Sequence, residues 1–592
     1  MRKHIFKLAI ILFLSQNYIY AQYILKDNAD VKWYNNIHQE KVFVHHNTSL
    51  LFTGEYLYYK FYCFNSSTNN LSKTSKIGYV ELIGEYGESI FKHKIKLENG
   101  LGQGDFFVPT SIPSGNYKLL AYTQWMRNAE GNHFFSSDIS IINPYRGNQS
   151  SVLSNIPEEE NTLVYKEQID ESAQTLSDKV SIIPNYKIYK SRSKGLLIIK
   201  AHEGIKSFGN YSISVRKIDT ILKPQMHTSN NYELLFKRSV NKSKKVDDNI
   251  FMPEFKGEMI TGRIINKETD LPETNKDIAL SIINNESVLD ISKTNEDGVF
   301  YFHLNSNYYG DDAIFQVVDE HPEKYIIELN NHQPINYKDL KFNQFKITSR
   351  MEDLIIERSI NNQIQNGFFS VKPDTIKTIE PQAPFYGNHQ DVYNLDDYTR
   401  FPTVKETVIE IIEHAWTAKN KEGKQVLIVR GREFDPYFGS ELKALVMVDG
   451  IFIQNHENII EYKTNKVKSI SVLRDEYYYG SQIYKGVINI KTIKGEFNKE
   501  LSEKYLSKIQ LFKPRPKKNY FNQFYTKEGE IESSMIPDFR QQLLWIPEFV
   551  LNNSEKRIEF FTSDTKGVYE ISLEGFTNQG EAVSVKETFR VE

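Results

Sequence analysis

One cysteine in 592 residues is the sharpest scarcity in this sequence. Cys63 alone cannot close an intramolecular disulfide, and any metal or redox site that needs two thiolates is excluded with it. It falls in the strand-like run Tyr56 to Phe64 and reads as a small buried hydrophobe. Charge of one sign is also lacking. Basic residues number 73 and acidic residues 76, a formal net charge of -3, so no field strong enough to steer nucleic acid or an anionic membrane is implied. Beyond residue 22 the apolar runs, such as Ala444 to Val448, fall far short of the roughly 20 residues of a membrane-spanning helix. Tryptophan is rare, 4 against 37 Phe and 36 Tyr, and the 13% aromatic content leans toward strands, where flat rings pack on pleated surfaces.

What remains is ordinary globular material: 40% hydrophobic and 25% charged residues exclude wholesale disorder, collagen and coiled coil. At about 150 residues per domain the length implies about four domains. Arg2, Lys3 and Lys7 precede the apolar run Leu8 to Leu14, and Ala21 closes a short polar stretch, the pattern of a secretory signal peptide cleaved after Ala21. Removing those three positive side chains takes the net charge from -3 to -6 and leaves Gln22 first. No cysteine follows the cleavage position, so no lipid anchor is expected, and no direct membrane span. The expectation is an exported protein, soluble or held at a membrane by a partner.

Strand-like runs at short spacing with Gly and Pro at the breaks fill Val42 to Pro144, the pattern of a β-sandwich. GLLIIKAH and NYSISVRKI begin a second sandwich-like segment, and MITGRII, DIALSII, VFYFHL and AIFQVVD a third, with Glu296 to Gly298 read as a hairpin turn. Phe401 to Trp416 differs in kind: Val404, Val408, Ile411 and Ile412 make a helical stripe, with Thr403 and Glu406 as a capping box. The expected fold is mainly β, tandem immunoglobulin-like sandwiches with one α+β domain. The order is a leader at 1–21, a sandwich at 22–148, a linker and second sandwich at 149–255, and a third at 256–350. A linker at 351–384, the α+β module at 385–497 and a closing β domain at 498–592 complete it.

No G-x-x-x-x-G-K-[ST], G-x-S-x-G or H-E-x-x-H occurs, so those phosphate-cradling, nucleophile-elbow and zincin chemistries lose their support. Gly100 to Gly104 lies between strand-like runs and reads as a turn. His45 and His46 are adjacent on a strand and point to opposite faces, poor geometry for sharing a metal. Asp396 and Asp397 lack a third ligand at loop spacing and read as solvated or as capping the entry to the following helix. Asp449-Gly450 between two apolar runs is what a hairpin turn requires. Trp125, Met126 and Arg127 are read as closing the first sandwich. No catalytic, cofactor-binding or metal residue is assigned. The one contact site singled out is Tyr477, Tyr478 and Tyr479 beside Arg474 and Asp475, because Tyr and Arg are favoured at interface cores.

Four segments carry resemblances. Ile112 to Asn128, with YVELIGEYG upstream, resembles the macroglobulin-type MG2 domain of Bacteroidota surface and periplasmic proteins. Gly257 to Phe302 is similar to the carboxypeptidase regulatory-like domain, a small sandwich without catalytic residues, although Lys276 or Asp277 stands where that family has Gly. Ala444 to Ile453 with Val467 to Thr492 resembles the plug domain of TonB-dependent outer-membrane receptors, through Val448 to Gly450, the SVLRD strand, Tyr479-Gly480-Ser481 and Gly486-Val487-Ile488. Asp538 to Gly580 looks like a closing macroglobulin-like domain, and 149–255 is taken as a second one. A receptor barrel of about 22 strands needs more than about 200 residues, and 98 follow Lys494. The resemblance therefore implies a plug-like module without its barrel. Cys63 lacks the thioester neighbourhood, so covalent protease trapping is not implied. The expectation is a non-enzymatic periplasmic or outer-membrane-associated scaffold, an accessory subunit for barrel assembly, secretion or TonB-dependent uptake, partnered by an outer-membrane barrel protein. The alternative is a free macroglobulin-like binder of peptides, glycans or proteases, with 228–248 as a bait-like stretch.

Overall fold

The computed structural model describes residues 23–129, 133–153, 177–218, 221, 223–232, 244–304, 308, 310–330, 334–377, 383–387, 389–432, 442–480, 482–501, 503–525 and 536–592. The expected leader at 1–21 and most of the expected bait-like stretch lie outside them. The chain forms two compact units, the first from 22–255, 335–378 and 514–592, the second from 256–334 and 379–513. The fold is mainly β, built of sandwiches with one α+β module. Among the described residues no helix is long and apolar enough to cross a membrane.

In the first unit, strands Glu40–His46, Tyr56–Asn65 and Leu101–Phe107 make one sheet. Leu50–Phe52, Phe135–Ile142, Gly115–Tyr122, Ile77–Gly84 and Ser89–Lys96 make another, in that order. Phe43, Phe61, Leu82, Leu119 and Ile139 fill the core with Cys63, whose thiol burial pushes up, leaving it inert. The turn at Gly100 is confined to Asn99 (φ 51°) and Gly100 (φ 79°). Gly102 and Gly104 lie within a strand, correcting the turn expected through Gly104. A Cβ on Gly104 would strike the Tyr59 ring, so glycine there makes room for an aromatic. Met126 joins this core, while Trp125 packs 5.3 Å from Tyr34 of the helix Asn28–Asn36.

The expectation of separate sandwiches at 149–255 and 498–592 is corrected: one sandwich uses strands from both. Val180–Pro184, Lys194–Ala201 and Glu555–Phe561 form its smaller sheet. Ile188–Tyr189, Ala582–Val591, Gly567–Thr577, Gly209–Lys217 and Gln542–Leu551 form the larger. Gly209–Lys217 would show two unpaired edges by itself, and Gly567–Thr577 and Gln542–Leu551 cover one each. Leu197, Ile199, Tyr211 and Ile213 are thereby buried with Phe549, Phe560, Tyr569 and Leu573. The linker expected at 351–384 contains a 16-residue helix, Glu352–Gly367. Its buried face is polar, Arg358, Ser359 and Asn362, while Ile356 and Ile360 are exposed. No apolar stripe announces such a helix.

In the second unit, Val299–Leu304, Glu258–Asn266 and Tyr325–Leu329 form one sheet of a sandwich. Asn285–Lys293, Asp277–Ile282, Asp312–Val317 and Ser507–Gln510 form the other. Ser507–Gln510 thus belongs here rather than with a closing domain at 498–592. The reversal at Glu296 to Gly298 is a turn, with Gly298 at φ 69°, but its flanking strands lie in different sheets, so the expected hairpin is corrected to a crossing between layers. The α+β module has a five-stranded sheet ordered Asp391–Asn394, Val467–Tyr479, Gln482–Thr492, Leu445–Val448 and Ile451–Ile453. Val448 pairs with Ile451 across Asp449 (φ 47°) and Gly450 (φ 80°), a two-residue turn whose positive φ values suit Asp-Gly. The helix expected through Trp416 spans Val404–Glu410. Thr403 and Glu406 cap it reciprocally at 3.3 and 3.2 Å, and His414 at φ 66° turns the chain into the strand Ala415–Lys419.

Candidate functional site

The predicted contact residues sit at the far end of the longest hairpin. Val467–Tyr479 and Gln482–Thr492 pair antiparallel, with a register shift between Leu473 and Glu476. Such a bulge re-aims the side chains that follow it. Beyond it Tyr477 faces Tyr484, Tyr478 faces Ile483 and Tyr479 faces Gln482. Alternation then splits the tyrosine run, since neighbours on a strand point oppositely.

Tyr477 donates from its hydroxyl to the Phe385 carbonyl at 2.7 Å, and Tyr479 donates to the Leu289 carbonyl. The Phe385 ring lies 5.6 and 5.3 Å from theirs. Burial raises the pKa of both phenols, keeping them as neutral donors. Arg474 donates to the carbonyls of Arg430 (3.0 Å) and Gly431 (3.1 Å), and Asp475 pairs with Arg432 at 3.6 Å. Four of the five predicted residues thus bond within their own unit. Among the three tyrosines Tyr478 alone turns outward, 70% exposed. Its cross-strand neighbour Ile483, 41% exposed, completes an apolar tip that the sequence reading missed. The signal was available in Gly480, a turn-forming residue that sets the run after it opposite the tyrosines.

A second feature, in the first unit, escaped the sequence reading entirely. A cleft of about 130 Å³ opens where the turn at Gly54-Glu55, the helix Glu352–Gly367 and the strand Gln542–Leu551 converge. Gly54 is at φ 91°, and a Cβ there would meet the Asn366 amide at 2.5 Å, so the tight turn and the helix approach require glycine. Glu55 accepts from Arg358 at 2.7 and 2.8 Å, Arg216 at 3.2 Å and Asn362 at 3.1 Å. Burial alone would raise its pKa and is the largest single influence. The two guanidiniums and the Asn362 amide together outweigh it and hold the carboxyl down at about 2. Near the cleft residue Arg540, Asp538 takes a bidentate pair from that guanidinium, both contacts 2.7 Å, with Lys372 at 3.5 Å. Both carboxylates are thus locked in ion pairs.

Four rings line the cleft in near-parallel sequence. Phe369 lies 6.1 Å from Tyr56 at 16°, Tyr56 lies 5.6 Å from Tyr58 at 11°, and Tyr58 lies 6.0 Å from Trp545 at 21°. Two lining side chains keep a polar atom without a partner, the Trp545 indole Nε1 and the Gln541 amide Oε1.

The remaining sequence candidates have structural roles. His45 contacts Ser212 at 2.7 Å and His46 contacts Ser137 at 2.9 Å, on opposite faces of their strand. Both pairs are sealed in the core, where no substrate reaches the hydroxyl. Asp449 ties its turn to the chain after the neighbouring strand, accepting from Thr492 at 2.8 and 2.6 Å and from the Phe497 amide at 3.2 Å. Asp396 pairs with Arg400. Among the described residues no group of three or more His, Cys, Asp or Glu side chains could hold a metal ion.

No known family profile and no curated protein matches this chain. Solved structures give slight likenesses. An α2-macroglobulin from Salmonella reacted with methylamine is 9% identical, covering 94% of this chain and 39% of that one, at TM-score 0.22. A trypsin-activated α2-macroglobulin from Escherichia coli is 9% identical, covering 96% and 42%, also at 0.22. The Yersinia pseudotuberculosis adhesin InvE covers 50% and 59% at 9% identity and 0.12. The chain spans about two fifths of the length of the bacterial macroglobulins it matches, and at these scores neither fold nor function transfers from them.

Proposed function

We propose that this protein works by holding other proteins rather than by transforming substrates. In this reading it is an exported scaffold and an accessory subunit of an outer-membrane machine for barrel assembly, secretion or TonB-dependent uptake, and the plug-like module at 385–497 docks on a barrel protein. The observation that carries the reading is the hairpin tip. Tyr478 and Ile483 form a solvent-facing apolar pair on a support made rigid by the hydroxyl ties of Tyr477 and Tyr479. An aromatic anchor whose neighbours are fixed before contact loses little conformational freedom on docking. The macroglobulin-type resemblance of the first unit fits a binding role, and the leader-like segment at 1–21 fits export.

A photo-crosslinking amino acid in place of Tyr478, activated in intact cells, tests this reading. The expected product is a discrete adduct with a β-barrel protein, absent when the same group replaces Glu559 in the first unit. Equal, diffuse labelling from both positions would contradict docking through the tip.

A further inference from the structure

We propose that the cleft beside Glu55 is a binding site for a neutral saccharide, one pyranose ring deep. The stacked row Trp545, Tyr58, Tyr56 and Phe369 ends at the half-exposed Phe369 ring, a flat apolar surface of the kind against which the C–H face of a sugar ring packs. Phe369 is 47% exposed, so part of that surface is open before any ligand arrives.

The unmet hydrogen-bonding capacity points the same way. Trp545 and Gln541 are 4% and 8% exposed, and they leave one donor and one acceptor unpaired at the cleft. A hydroxyl both donates and accepts, so adjacent sugar hydroxyls answer both needs. A proline-rich segment, the other common occupant of aromatic grooves, brings acceptors but few donors.

Charge argues against an ionic ligand. Of the lining carboxylates, Glu55 is matched by Arg358 and Arg216 and Asp374 by Lys518 at 3.7 Å, and nearby Asp538 is matched by Arg540 and Lys372. An ionic ligand would have to break one of these buried pairs, leaving a partner uncompensated. At about 130 Å³ the cleft is also well below the roughly 300–1,000 Å³ of pockets that enclose drug-sized molecules, and it suits a single ring.

The site is tested on the purified full chain without membranes, so its outcome is separate from that of the docking reading. The probes are the methyl glycosides of glucose, galactose, mannose and N-acetylglucosamine, each at about 10 mM, with decaproline in parallel, read by saturation-transfer NMR and tryptophan fluorescence. At least one glycoside is expected to bind with a millimolar Kd, with transfer strongest to one face of the sugar ring. Phe369→Ala removes a surface ring and should weaken binding roughly tenfold with thermal unfolding unchanged. Trp545→Phe keeps a ring but removes the N–H and should weaken binding by a similar factor. Should that variant misfold, Phe369→Ala and Gln541→Ala decide. Binding of no glycoside, binding unaltered by these substitutions, or binding of decaproline alone would overturn the proposal.

Discussion

At the hairpin tip three consecutive tyrosines divide between two faces: Tyr477 and Tyr479 are tied to carbonyls of their own unit, and Tyr478 is left to solvent. In the cleft Tyr56 and Tyr58 stand two apart, fall on the same face of their strand, and line up with rings from elsewhere in the chain. Electrostatics differ in parallel. The tip's Asp475–Arg432 pair is about half exposed, whereas Glu55 sits buried between two guanidiniums. Spacing along a strand thus decides whether aromatics make a single anchor or a continuous wall, and burial decides whether the nearby ion pair is structural.

Breaking the buried cluster should have the largest effect. Arg358→Met removes the bidentate partner of Glu55 and should cost about 3–5 kcal/mol in urea unfolding of the first unit, because a carboxylate is left buried with Arg216 alone. Acid should come next. Burial pushes His46 down to about 4, against the opposing hydrogen bond to the Thr48 carbonyl. The unfolded ring therefore binds a proton more readily than the folded one. The stability contributed by neutral His46 is complete above about pH 6.5 and declines as pH falls toward 4, by about 3 kcal/mol in all. Urea unfolding measured across that range should show this loss, and His46→Gln should shrink it without abolishing it, because burial also pushes His45 and His93 of the same unit down.

Smaller effects sharpen the contrast at the tip. Tyr479→Phe loses the hydrogen bond to the Leu289 carbonyl and should lower stability by about 1 kcal/mol, read as a drop in the melting temperature of the second unit. Arg432→Ala removes a solvent-screened partner of Asp475 and an exposed hydrogen bond to the His389 carbonyl, and should change stability by less than about 1 kcal/mol. An effect of Arg432→Ala as large as that of Arg358→Met would erase the distinction between the two regions.

Local chemistry was readable wherever the signal and its effect lie close in sequence. The Thr403–Glu406 box, the Asp449-Gly450 turn and the opposed faces of His45 and His46 all follow from a few neighbouring residues. Pairing partners were not readable. The turn at Gly298 reverses the chain whether its strands share a sheet or cross between layers, and nothing within 209–217 specifies that its edges await 542–551 and 567–577. The helix Glu352–Gly367 hid for a different reason: it buries Arg358 and Asn362 to neutralise Glu55, so its hydrophobic pattern contradicts its burial. The cleft was invisible because its stacked rings come from residues 56, 58, 369 and 545, which only the fold brings together.

Docking on a barrel, as proposed, rests on the exposed pair Tyr478 and Ile483. Affinity purification of the tagged chain from detergent-solubilised outer membrane, with and without the double substitution Tyr478→Ser and Ile483→Ser, measures it directly. The prediction is stoichiometric recovery of a protein with the heat-modifiable mobility of a β-barrel, lost in the double variant while its melting temperature is unchanged. Recovery of the unsubstituted chain alone, or of the same barrel with both chains, would contradict it.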